Sequence, residues 1–173
     1  MKKIIIGFIS TTVIILIVYS FAQEFEYIGA DKCKICHKSE KRGAQYTKWE
    51  ERRHSKSFQV LSQDIAQPKA QQAGVENPAE SPECLKCHAP LYADAPDFKE
   101  EGVSCEVCHS PGSEYKSLMI MKDHEKSVIN GLIEYKNQED IKQQCLTCHN
   151  NLHGISFDFD AAWNKVKHYR PDK

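Results

Sequence analysis

The sequence predicts a mainly α-helical fold with much irregular structure, built as one domain around something other than an aliphatic core. Leu, Ile, Val and Phe make up about 17% of residues 23–173, below the roughly 20% at which a highly charged chain is expected to be disordered. The formal net charge of the chain is only -1, however. No stretch alternates apolar and polar residues as a half-buried strand does. All eight cysteines fall in one repeated five-residue pattern.

The first 22 residues have the pattern of an export signal. Lys2 and Lys3 precede an apolar stretch at 4–21, and Ser20 and Ala22 stand where a signal peptidase requires small residues. We therefore expect cleavage after Ala22 and export of residues 23–173, to the periplasm or beyond. The alternative is an uncleaved anchor, because the apolar stretch has the minimum length of a membrane-spanning helix. Contact with a membrane is expected only through this segment.

The repeated pattern is C-x-x-C-H, the attachment signature of c-type haem. Its cysteines are Cys33, Cys36, Cys84, Cys87, Cys105, Cys108, Cys145 and Cys148, and its histidines are His37, His88, His109 and His149. Two thiols add to the vinyl groups of one porphyrin, and the histidine becomes the proximal iron ligand. Disulfides and zinc sites do not require a histidine after every second cysteine. The sequence therefore predicts four covalently bound c-type haems, which supply the missing apolar volume.

Four further histidines are candidate distal ligands, one for each predicted haem: His54, His124, His153 and His168. Counting therefore predicts two histidines on every iron. His54 shares a predicted helix face with Phe58 and Leu61, at i, i+4 and i+7. Met119 and Met121 are rival axial ligands, although methionine more often fills gaps in packing.

The remaining pattern predicts four helices, near 42–63, 113–132, 138–148 and 159–168. Asp160 is the expected cap of the last helix. Residues 67–96 hold five of the seven prolines, which predicts an irregular segment wrapped around the second haem. Because Cys84 and Cys105 are only 21 positions apart, the second and third haems are expected to be neighbours.

Several stretches beyond the attachment motifs resemble the tetrahaem cytochrome c-554 family. They are Y-I-G-A-D-K-C at 27–33, W-E-E-R-R-H at 49–54, E-G-V-S-C-E-V-C-H-S-P-G-S at 101–113, F-D-F at 157–159 and the segment 163–168. The stretch at 101–113 is the most specific, because it extends well past the haem motif. The resemblance covers nearly all of residues 23–173 and implies a multihaem cytochrome c fold organised around four covalent haems.

The resemblance also implies a set of distal ligands. It implies His54 for the third haem, His124 for the fourth and His168 for the first. It leaves the second haem, on Cys84 and Cys87, five-coordinate. Counting instead assigns His153 to that second haem, so the two arguments differ at one site.

The leading interpretation is an exported electron carrier that serves redox proteins of a respiratory chain, without catalytic residues. One alternative is a redox enzyme or a binder of nitric oxide, nitrite or hydroxylamine at a five-coordinate second haem. Another is a subunit of an extracellular conducting filament, whose partners are other multihaem cytochromes or copies of itself. The balanced charge argues against nucleic acid as a partner. Lys48, Arg52, Arg53 and Lys56 form a modest basic cluster. Three interpretations of this cluster are open: docking of an acidic redox partner, neutralisation of haem propionates, and a solvated helix face.

Overall fold

A computed structural model describes residues 24–152 and 154–168 of the chain. This part contains helices and turns and no strand, which confirms the mainly α-helical fold. Its helices are α1 Ala30–His37, α2 Gln45–Glu50, α3 Ser57–Val60, α4 Gln67–Gln72, α5 Pro82–His88, α6 Cys105–His109, α7 Leu118–Met121, α8 His124–Ile129, α9 Gln138–Leu146 and α10 Phe159–Val166. None of these is long and apolar enough to cross a membrane. The expected signal segment and His153 lie outside the described residues.

Two of the predicted helices are broken into shorter ones. The helix expected at 42–63 consists of α2, a 3-10 turn at His54–Lys56 and α3. The helix expected at 113–132 consists of α7 and α8, because Asp123 interrupts it as the N-cap of α8. The Asp123 carboxylate accepts a hydrogen bond from the backbone N–H of Lys126 at 3.1 Å. Such a cap satisfies a backbone donor that begins a new helix.

Two details of the other predicted elements also differ. Asp158, rather than Asp160, caps α10, and its carboxylate accepts a hydrogen bond from the N–H of Ala161 at 3.0 Å. The expected irregular segment at 67–96 contains α4 and α5. Pro82 occupies the first turn of α5, where the missing N–H of proline has no helical partner to lose.

The apolar core is small in the part of the chain that the structure describes. Four of its nine buried apolar residues are alanines. One cluster, of Leu61, Leu85 and Ala89, packs α3 against α5. Phe58 lies against this cluster, so part of the predicted His54 face contacts the helix of the second motif. A core of this size is consistent with a fold completed by bulky prosthetic groups.

Gly102 allows two segments of the chain to approach each other closely. Its φ is +67°, and a Cβ at this position would lie 2.5 Å from Ser57 Oγ and 2.6 Å from the His54 carbonyl oxygen. Ser57 Oγ accepts a hydrogen bond from the N–H of Val103 at 3.0 Å and lies 2.8 Å from the His88 carbonyl oxygen. One hydroxyl therefore joins the end of the second motif to the segment that leads into the third.

We predict that Gly102→Ala destabilises the protein much more than Gly74→Ala. Gly74 has nearly the same φ, +69°, but a Cβ there would meet nothing within 4 Å. Its substitution should therefore cost only the strain of placing a residue with a Cβ in a left-handed backbone conformation, about 1–2 kcal/mol. Gly102→Ala should cost about 1–3 kcal/mol more, because overpacking is added to the same backbone term. Denaturant unfolding of the haem-loaded variants measures the difference, and equal losses would contradict the close approach.

Candidate haem sites

Each C-x-x-C-H motif forms a helical turn. The first three lie in α1, α5 and α6, and the fourth begins in α9 and closes with a hydrogen bond from the N–H of His149 to the Cys145 carbonyl at 3.0 Å. Residues three and four apart share a face of a helix, so both thiols and the histidine of each motif project to one side. All eight thiols are free and partly buried. This arrangement fits two-point attachment of a flat group with a histidine beneath it.

The disulfide and zinc alternatives find no counterpart in residues 24–152 and 154–168. The eight cysteines form no disulfide. No three histidine, cysteine, aspartate or glutamate side chains in these residues are arranged to hold a bare metal ion.

The first two motif histidines are held through Nδ1. His88 Nδ1 donates a hydrogen bond to the Ser57 carbonyl at 2.9 Å, and His37 Nδ1 donates one to Gln45 Oε1 at 3.3 Å. An imidazole that donates from Nδ1 keeps the lone pair on Nε2, which is then the nitrogen available to a metal. Ser57 and Gln45 therefore hold these rings in an orientation that leaves Nε2 available to an iron. Sequence reasoning missed both residues, because neither has a motif around it.

The third and fourth motif histidines are biased toward the neutral form that binds metals. Burial, followed by the charges of His168 and His37, lowers the pKa of His109 to about 4. Partial burial also lowers the pKa of His149. The His149 ring stacks on Phe157, with ring centres 4.4 Å apart and an interplanar angle of 14°. Phe157 belongs to one of the stretches that resemble the cytochrome c-554 family.

Two of the candidate distal histidines face motif histidines. The ring centres of His54 and His149 are 6.3 Å apart, and those of His109 and His168 are 5.8 Å apart. An imidazole nitrogen lies about 2 Å from a first-row metal ion, so two rings on opposite sides of one iron have their centres about 6 Å apart. Both pairs therefore fit a single iron between their rings.

This pairing differs from the one that the resemblance implies, which places His54 on the third haem and His168 on the first. The position of α10 provides the physical reason for His168. Its eight residues span about 12 Å. They carry the chain from Phe157, beside the fourth motif, to His168, beside the third.

The remaining distal candidates are not brought beside a motif histidine in the described residues. Nε2 of His124 lies 3.1 Å from Oε1 of Glu134, and both side chains are nearly half exposed. His153 lies outside the described residues. Met119, one of the rival ligands, is 77% exposed, so its sulfur is largely at the surface.

The attachment motifs contact one another. The helix of the first motif, α1, contacts the helix of the third, α6. Gln144 Nε2, beside the fourth motif, donates to the Val107 carbonyl of the third at 3.2 Å. Cys148 Sγ of the fourth lies 3.9 Å from the Lys86 carbonyl of the second. These contacts connect the first motif to the third, the third to the fourth and the fourth to the second, and Ser57 also connects the second to the segment that leads into the third.

Glu106 explains much of the specific stretch at 101–113. Its side chain, inside the third motif, is only 2% exposed. The carboxylate accepts hydrogen bonds from the backbone N–H groups of Ile28 at 3.1 Å, Gly29 at 2.8 Å and Gly112 at 2.7 Å. Glu101 adds a bond from the N–H of Ala30 at 2.9 Å. These two carboxylates hold the beginning of α1, and therefore the first attachment motif, against the third.

We predict that Glu106→Gln lowers the stability of the haem-loaded protein by about 2–4 kcal/mol. The amide turns one acceptor into a donor that faces backbone N–H groups, and buried hydrogen bonds to a charged group contribute about 1.5–3 kcal/mol each. Glu83→Gln is the matched control, because Glu83 precedes Cys84 in α5 but is exposed. Urea unfolding monitored by far-ultraviolet circular dichroism compares the two. Similar midpoints for both variants would show that the buried carboxylate does not anchor α1.

Two comparisons with known proteins find similar sequences. Residues 32–110 match the family model described as cytochrome c554 and c-prime. The cytochrome c-554 of Nitrosomonas europaea is 24% identical to this chain over an alignment of 151 residues. That alignment covers 78% of this chain and 62% of the relative, so the chain spans less than two thirds of the relative's length. No solved structure matches the chain.

The matched region contains the first three attachment motifs and His54. The family model and the relative therefore confirm the resemblance that the stretch at 101–113 indicates. We conclude that the chain is similar to c-type cytochromes of the cytochrome c-554 family.

Proposed function

We propose that this c-type cytochrome holds four haems, is exported, and carries electrons between redox proteins of a respiratory chain. The proposal rests on two pairs of facing imidazoles, His54 with His149 and His109 with His168. An iron ligated by two histidines has no free coordination position for a substrate. Such an iron is suited to electron transfer rather than to bond chemistry.

We assign the ligands as follows. The proximal ligands are His37, His88, His109 and His149. His168 is the distal ligand of the third haem and His54 that of the fourth. His124 is the candidate for the first haem. This assignment follows by elimination, because the resemblance leaves the second haem without a distal ligand and His54 and His168 face the fourth and third motifs.

The bound haem iron supplies one-electron chemistry, and the chain determines its surroundings. Burial keeps His109 neutral, and the Nδ1 bonds of His37 and His88 direct their other nitrogens toward the metal position. Two histidine ligands give a lower reduction potential than a histidine and a methionine. The exposure of Met119 supports this ligand set.

The contacts between the motifs support an electron path through the chain. The contact of α1 with α6, that of Gln144 with Val107 and that of Cys148 with Lys86 connect the first motif to the third, the third to the fourth and the fourth to the second. Ser57 also connects the second motif to the segment before the third. Four connected sites suit a carrier that receives and delivers electrons at different surfaces.

The alternative function depends on the coordination of the second haem. With His54, His124 and His168 assigned elsewhere, a sixth ligand at the second site depends on His153. Without it the iron is five-coordinate, as the resemblance implies, and an open position of this kind can bind nitric oxide or a related small molecule. A resting high-spin signal that disappears on addition of cyanide would favour this alternative.

The ligand assignment predicts separate spectroscopic losses for two variants. His54→Ala and His168→Ala should each convert one low-spin ferric haem to high spin, and the two variants should lose different low-spin signals. Electron paramagnetic resonance of the oxidised protein at low temperature counts both species. Met119→Leu serves as the control and should leave the spectrum unchanged. Retention of every low-spin signal in His54→Ala would overturn the assignment at the fourth haem.

The small core predicts that folding depends on haem attachment. A haem-free preparation should show no cooperative thermal transition, because the aliphatic residues alone bury too little apolar surface to offset the conformational entropy of the chain. Circular dichroism melting of the haem-free and haem-loaded proteins tests this. A sharp transition in the haem-free chain would contradict it.

A further inference from the structure

Arg52 connects the two elements that carry the paired distal histidines. It lies in the turn after α2, two positions before His54. Its Nη1 donates a hydrogen bond to the Val166 carbonyl at 2.7 Å, with a second, longer contact to the Lys167 carbonyl at 3.4 Å. One partly buried guanidinium therefore binds two backbone carbonyls that lie 114 and 115 positions further along the chain.

The carbonyls that Arg52 contacts are those at the end of α10. The last carbonyls of a helix have no partner within it, and a cation there also interacts favourably with the helix dipole. Val166 ends α10, and Lys167 leaves the helical conformation with a ψ of 141°. Lys167 thereby turns the chain so that His168 faces His109. The Arg52 contacts stand directly before that turn.

The carbonyls that Arg52 contacts stand directly before His168 in the chain. Val166 and Lys167 are the two residues that precede His168, and both accept from Arg52 Nη1. Arg52 therefore restrains the backbone from which the His168 ring projects, and the position of that backbone determines the position of the ring.

We propose that Arg52 is a positioning residue that holds His168 in place as the distal ligand of the third haem. This inference rests on the ligation proposed above. It gives one residue of the basic cluster a role different from partner docking, propionate neutralisation or solvation. The neighbouring Arg53 is exposed, which makes it a matched control of equal charge on the same turn.

The test compares Arg52→Ala, Arg53→Ala and His168→Ala as oxidised, haem-loaded proteins. Electron paramagnetic resonance of His168→Ala identifies the low-spin signal of the third haem. Arg52→Ala should lose that same signal, gain a high-spin one and bind added imidazole at least about tenfold more tightly than the parent protein, because a charge-assisted hydrogen bond is lost. Arg53→Ala should resemble the parent. A purely structural role for Arg52 would lower the melting temperature without changing the spin state.

The outcomes separate this inference from the proposed ligation. If His168→Ala becomes high-spin while Arg52→Ala keeps every low-spin signal and the parent affinity for imidazole, the positioning role is overturned and the ligation stands. If His168→Ala remains low-spin, the ligation of the third haem fails and the inference fails with it. If Arg52→Ala does not accumulate, Arg52→Lys decides. Its ammonium keeps the charge but lacks the planar fork, so tighter imidazole binding supports the role and parent-like binding overturns it.

Discussion

The fold depends on a buried carboxylate inside an attachment motif. Glu106 accepts hydrogen bonds from the backbone of Ile28, Gly29 and Gly112, which belong to segments far apart in the chain. A buried anion is tolerated when several donors surround it, and those donors are in turn fixed by its position. The beginning of α1 is therefore held against the third motif, which brings the first and third C-x-x-C-H motifs together.

The helices that carry the motifs are too short to be stable alone. The longest in the described part of the chain, α9, has nine residues, whereas isolated helices below about 12–15 residues are marginal in water. Contacts between motifs and the attached haems must supply what helix propensity does not. The few buried alanines and leucines are consistent with this, because they leave the centre of the molecule to the prosthetic groups. We therefore expect folding of this chain to depend on cofactor attachment.

The facing imidazoles connect this architecture to electron transfer. Each proposed distal histidine comes from a segment that other contacts hold in place: His54 from the turn beside Gly102 and Ser57, and His168 from the end of α10 beside Arg52. A ligand on a restrained segment stays on its iron when the charge of the iron changes. Such restraint favours fast and reversible transfer, since little of the protein has to move.

The sequence by itself determined the mainly helical fold and was enough to predict the attachment sites. Thioether formation and proximal ligation need only five neighbouring residues, so four copies of C-x-x-C-H are readable without a structure. It also marked the stretch at 101–113, although not that Glu106 binds the beginning of α1. Only the tertiary structure decided which histidines face each other. His54 and His149 are far apart in the chain, as are His109 and His168, and no local pattern encodes such a pairing. The contacts of Ser57 and Arg52 were equally hidden, because backbone carbonyls are their partners and every residue has one.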